Sequence, residues 1–184
     1  MPEVTLQLIV LLTGVAVLTA LATFWDVKER RIPNNLTLPV FFAGLIYQVV
    51  FNGLSGLGDA GLGFLVGFGT LFLLWMVGGG GGGDVKLMGA LSVWLGYYHT
   101  MYVLMICIGL VLASTASVMV YQMLKFGPKR IKNKYLATGK SLPKGEAPKK
   151  ETVAQKQGRR VMAFAVPVAI ATWTVLLWKL PTLP

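Results

Sequence analysis

Residues 4–25 carry no charged side chain, and that single run limits the chain more than any other feature. A helix needs roughly 20 apolar residues to cross about 30 Å of hydrocarbon. In lipid only a helix or a closed barrel satisfies its own backbone. Runs of this length, in place of short alternating strands, exclude a barrel. Further apolar runs occupy 36–51, 60–77, 87–98, 100–124 and 161–180. The chain therefore reads as an all-α membrane protein of about six transmembrane helices. With 55% hydrophobic residues in 184, no room remains for a soluble domain,, and residues 1–184 read as one integral-membrane domain. The first run is preceded by Met-Pro-Glu and has no positive leader region, so it is expected to stay as a span,.

Charge decides the topology. The run 87–98 is only about 18 Å of helix, short for a bilayer. With six spans, Lys28, Arg30, Arg31, Lys86 and all twelve Lys/Arg of segment 125–160 fall on one side, and only Lys179 falls on the other. Without the run 87–98 as a span, the twelve-charge segment lands opposite the first loop. The positive-inside rule therefore favours six spans, with N- and C-termini outside and the basic loops in the cytoplasm. The net charge of +10 is thus assigned to topology, not to nucleic acid. Segment 125–160, with its Gly and Pro residues, reads as a basic cytoplasmic loop. The one cysteine, Cys107, excludes a disulfide framework,, and His99 reads as an interfacial polar residue at a helix junction. No metal or cofactor is expected.

Between spans, the breakers are informative. Pro33 fixes φ and holds Ile32 extended, and an Asn after it can cap the next helix. A polar, Gly-rich turn is expected at 52–59, and six glycines fill 78–83.

Seven acids are present: Glu3, Asp26, Glu29, Asp59, Asp84, Glu146 and Glu151. Asp26, Asp59 and Asp84 each abut a span end, where a carboxylate is costly and is a functional candidate by default. Gly56-Leu57-Gly58-Asp59 and Gly81-Gly82-Gly83-Asp84 tie as motifs. Topology separates them: Asp26 and Asp84 share the cytoplasmic face, and Asp59 lies about a bilayer away. Two carboxylates at one depth suit peptide hydrolysis. Close like charges push one pKa up, so that the pair holds one proton. The ionised member activates water and the protonated one serves the scissile carbonyl. Glycines beside Asp84 let backbone approach an extended substrate and adopt positive φ, although a plain break between helices explains them too.

These residues resemble the type IV prepilin peptidase family. Trp25-Asp26-Val27-Lys28 through Ile32-Pro33-Asn34 is similar to its first motif, and Gly81-Gly82-Gly83-Asp84-Val85-Lys86-Leu87 to its second. They occur in order with a helical hairpin between. The resemblance implies an aspartic endopeptidase of the bacterial inner membrane that removes a basic leader from prepilin or pilin-like precursors. It implies Asp26 and Asp84 as the catalytic pair, with Lys28, Pro33, Asn34, Gly81, Gly83 and Lys86 in support. Gly82 departs from the family, which has a bulkier residue there. The size resembles the short peptidases of Flp-type (tight-adherence) pilus systems, without the cysteine-bearing domain of members that also methylate. The partners implied are the pilin substrate and the lipid bilayer; the oligomeric state stays open. Two other readings stand beside it: a presenilin-like intramembrane protease, for which a Pro-Ala-Leu motif is missing, and a non-enzymatic transporter or pilus-assembly subunit whose acids bind protons or cations.

Overall fold

The computed structural model describes residues 6–77, 81–126 and 164–179. The glycines 78–80 and nearly all of the basic segment expected at 125–160 lie outside the described residues. Among the described residues the structure is all-helical, with four helices: α1 (Leu6–Glu29), α2 (Asn34–Met76), α3 (Gly82–Phe126) and α4 (Ala165–Lys179). The first three are long and apolar enough to cross a membrane, and α4 is a shorter apolar helix.

Both α2 and α3 are interrupted at one residue, Gly53 (φ 62°, ψ −151°) and Gly96 (φ 69°, ψ −175°). Side chains with a Cβ avoid this left-handed region, so glycine stands at both breaks. At Gly53 the chain folds back, because Phe41 and Phe64, on opposite sides of the break, meet with ring centroids 5.4 Å apart. The turn is tighter than the expected 52–59. Asn52 Nδ2 donates to Gln48 Oε1 at 2.7 Å and Ser55 Oγ to the Asn52 carbonyl at 2.9 Å, so helix resumes at once. At Gly96 the fold-back is equally sharp. Thr100 Oγ1 reaches the Ser92 carbonyl at 3.5 Å, although eight residues of straight helix would separate them by about 12 Å.

The Gly96 break exposes backbone groups that lipid cannot satisfy, and the structure supplies a partner for each of the last four carbonyls before it. Thr100 donates to Ser92. Gln48 Nε2 donates to Val93 at 3.0 Å and Trp94 at 3.4 Å, and His99 Nδ1 lies 3.0 Å from the Leu95 oxygen. On the far side, Asp59 Oδ1 accepts the Tyr97 amide at 3.1 Å. His99 is therefore not at the junction but one turn past it, closing it.

The first arm of α3, residues 82–95, is the centre of the packing. Val85, Leu87, Met88, Leu91, Val93 and Trp94 are all buried. Trp94 is wedged between α1 and α2: a Cβ added at Gly14 or Gly44 would strike its indole. Its Nε1 donates to the Val40 carbonyl at 2.8 Å, and its ring stacks on Tyr47 at 5.2 Å. The second arm of α2 presents Gly56, Ala60, Gly63 and Gly67, all buried. Small residues at this spacing let helix backbones approach closely: a Cβ at Gly63 would lie 2.8 Å from the Gly96 and Ser92 backbone. α4 lies antiparallel on α1, with Trp173 Nε1 donating to Thr19 Oγ1 at 3.3 Å. At its C-terminal end the Lys179 ammonium lies over the rings of Trp178 and Tyr102, as expected for a residue snorkelling beside an aromatic,. Residues up to Leu110 and α4 belong to one unit; the rest of α3, 111–126, belongs to a second.

Candidate functional site

The last turn of α1 carries the first motif. Asp26 points inward and is only 1% exposed. Lys28 is on the outer side, its ammonium 5.4 Å from the centroid of Phe24 and 6.0 Å from that of Trp25. Arg30 ends the helix with φ 53°, and its amide donates to the Asp26 carbonyl at 3.0 Å. This is the left-handed closing position that glycine usually takes. Ile32 then turns into the core. Pro33, with φ −71° and ψ 144°, occupies the N-cap of α2 and makes no side-chain cap. The capping expected of an asparagine is therefore not found: Asn34 is already the first helical residue, and its side chain reaches elsewhere.

The second motif opens α3. The Gly81 carbonyl accepts the amides of Asp84 and Val85 at 3.0 and 3.3 Å, which makes Gly81 the capping residue. Asp84 Oδ2 reaches back to accept the Gly81 N–H at 3.1 Å. An acid three residues into a helix that bonds the capping residue's amide is one half of a capping box. Asp84 is 8% exposed. The glycines themselves differ from expectation. Among the described glycines only Gly53 and Gly96 have positive φ, so Gly81, Gly82 and Gly83 are not using left-handed backbone. A Cβ would meet Trp75 at 3.7 Å from Gly82, and Ile32 at 3.6 Å from Gly83, which are ordinary contacts. Two of these glycines simply serve as the first residues of a helix.

The two motifs meet through their flanks. Lys86 Nζ donates to Asn34 Oδ1 at 2.7 Å, and Gly83 sits against Ile32. The stretch after Asp26 is thereby packed on the stretch around Asp84, at one end of the helices. Asp59 belongs to the other end: it accepts from Tyr97, thirteen residues beyond Asp84 and about 20 Å along the first arm of α3. Of the eight residues the motifs single out, Asn34 and Lys86 contact each other directly. Gly81 contacts Asp84, Gly83 contacts Ile32, and Lys28 stands apart on the aromatic rings.

One partner of the site has no signal in either motif. Asp26 Oδ2 accepts the backbone N–H of Ala165 at 2.9 Å, the first residue of α4. Nothing local in the sequence pairs residues this far apart. Among the described residues no group of three His, Cys, Asp or Glu is placed to hold a metal ion.

The architecture and site together define an all-helical protein with three helices long and apolar enough to cross a membrane and two buried carboxylates at helix ends. Residues 12–117 match the type IV leader peptidase family, and the chain belongs to that family. Among its relatives, the prepilin leader peptidase/N-methyltransferase of Aeromonas hydrophila is 38% identical over 97 residues, covering 49% of this chain and 33% of that protein. The corresponding protein of Neisseria gonorrhoeae is 35% identical over 115 residues, 58% of this chain and 40% of that protein. Leader peptidase HopD of Escherichia coli is 30% identical over 125 residues, 64% of this chain and 77% of HopD. The chain thus spans about a third of the length of the first of these and most of the length of the last. No solved structure matches it.

Proposed function

We propose that this chain is an aspartic endopeptidase of the bacterial inner membrane that removes the leader from prepilin or pilin-like precursors. Cleavage takes place at the cytoplasmic face. The six helical segments set off by Gly53 and Gly96 each cross the bilayer, with both termini outside. The observation that carries the reading is the joining of the two motif segments by Lys86, Asn34, Ile32 and Gly83 in a chain of the leader peptidase family. Asp26 and Asp84 act as a pair that shares one proton. The ionised carboxylate takes a proton from water as it attacks the scissile carbonyl, and the protonated carboxyl donates to the carbonyl oxygen.

The test separates chemistry from structure. Asparagine keeps a side-chain oxygen acceptor, so Asp84→Asn retains the bond from Gly81 and Asp26→Asn the bond from Ala165. Each variant loses only the titratable carboxyl. Co-expression with candidate small pilins should show leader removal by the wild type and by Asp59→Asn, and none by Asp26→Asn or Asp84→Asn. Leader removal that survives either of the last two substitutions overturns the two-aspartate mechanism.

A further inference from the structure

The match to the leader peptidase family ends at residue 117, yet Asp26 is held from outside it. Ala165 is buried, as is Asp26, and their bond joins the last turn of α1 to the first residue of α4 across 139 positions of sequence. The contact is not an isolated touch. A second bond, from Trp173 to Thr19, lies eight residues along α4 and seven back along α1. The two bonds therefore sit at matching heights, about 12 Å and 10.5 Å from the first pair, and together they set the register of α4 on α1. A slip by one residue breaks both.

We propose that α4 is a working part of the site: the Ala165 amide is a positioning group that holds the Asp26 carboxylate in its reactive orientation. The proposal rests on the reading of Asp26 as a catalytic carboxylate. A carboxylate on the end of a helix can turn about its last torsion and present either oxygen. A buried N–H on Oδ2 ends that rotation and leaves Oδ1 to face water. The donor is also suited to the task. The first amides of a helix have no partner within it, so the Ala165 N–H is available without cost to α4. Of its neighbours in that turn, Pro167 has no N–H to give and the Val168 amide is turned inward to the Phe164 carbonyl at 3.3 Å. The partially positive end of α4 faces the carboxylate as well.

Proline at the first helical position keeps the helix and removes the amide hydrogen. Ala165→Pro deletes this donor alone, and Val166→Pro places the same ring one residue further on and serves as control. With purified full-length enzyme and a prepilin substrate, Ala165→Pro is expected to lower kcat at least about tenfold with KM little changed, as for a misplaced catalytic group. Val166→Pro is expected to keep kcat. A second measurement needs no proline variant. In hydrogen exchange, Asp26→Ala should release the protection of the Ala165 amide, while Asp26→Asn, which keeps an acceptor, and Asp84→Ala should not. Wild-type kcat in Ala165→Pro, or unchanged Ala165 exchange in Asp26→Ala, overturns the proposal. An active Asp26→Asn enzyme would instead overturn the reading on which it rests; an inactive one beside a normal Ala165→Pro enzyme removes the positioning role alone.

Discussion

The Lys86 ammonium donates to Asn34 Oδ1 at 2.7 Å, and this bond ties the helix that begins with the second motif to the helix that begins after the first. Both side chains are exposed, so the pair contributes little to stability, on the order of 1 kcal/mol or less. Its value lies in geometry. Asn34→Ala and Lys86→Met are expected to leave thermal unfolding nearly unchanged while lowering kcat/KM for leader cleavage about tenfold or more. Asn34→Asp, which keeps the acceptor, should retain most activity. Equal losses in all three would show that the contact does not position the loops.

The glycines of α2 divide sharply by what surrounds them. Gly63 faces Gly96 and Ser92 backbone at 2.8 Å, which cannot give way, whereas nothing lies within 4 Å of a Cβ at Gly61 or Gly69. Gly63→Ala is therefore expected to destabilise by about 1–3 kcal/mol through overpacking. Gly61→Ala and Gly69→Ala should stabilise by about 0.5–1 kcal/mol through helix propensity. Unfolding of the three variants in one detergent decides the matter.

Gly53 and Gly96 share a left-handed backbone but not a setting. Around Gly53 there is open space, while a Cβ at Gly96 would collide with the Asp59 carboxylate. Gly53→Ala should cost about 1–2 kcal/mol from backbone strain alone. Gly96→Ala should cost more, because the same strain is joined by displacement of Asp59 from the Tyr97 amide. Asp59→Ala should itself destabilise by about 1–3 kcal/mol, leaving that amide without an acceptor, whereas Asp59→Asn keeps one and should be mild.

Two threonines on α1 make a paired control. Thr19 is buried, donates to the Val15 carbonyl at 2.8 Å and accepts from Trp173. The Thr23 hydroxyl is buried with no partner among the described residues. Thr19→Val is expected to destabilise by about 1–3 kcal/mol, since it strips the Trp173 indole of its acceptor. Thr23→Val should be neutral or stabilising by about 1 kcal/mol, because a buried hydroxyl without a partner is itself a cost. Thermal unfolding of both reads this directly.

The placement of Asp26 and Asp84 at helix ends was legible because its signal is local and lies within a single turn. The same local logic misjudged Asn34, which a sequence assigns to capping and the structure gives to Lys86. It also misjudged Gly82 and Gly83, whose backbone is helical and not left-handed. Gln48 carried no signal at all, and His99 only that of a polar residue at a helix junction. Their task, closing the carbonyls around Gly96, exists only once the helix has broken there.

By itself, then, the amino-acid order determined that the chain is helical and apolar enough to cross a membrane, because span length and the absence of charge are properties of contiguous residues. It also carried the two motifs of the leader peptidase family. Only the tertiary structure decided where the helices break, that Asp59 serves the Tyr97 amide, and that Ala165 holds Asp26. The physical reason is common to all three. In an apolar surrounding every exposed N–H and C=O must find a partner, and when the helix cannot supply one, the partner comes from another helix. No local pattern in the sequence records that choice.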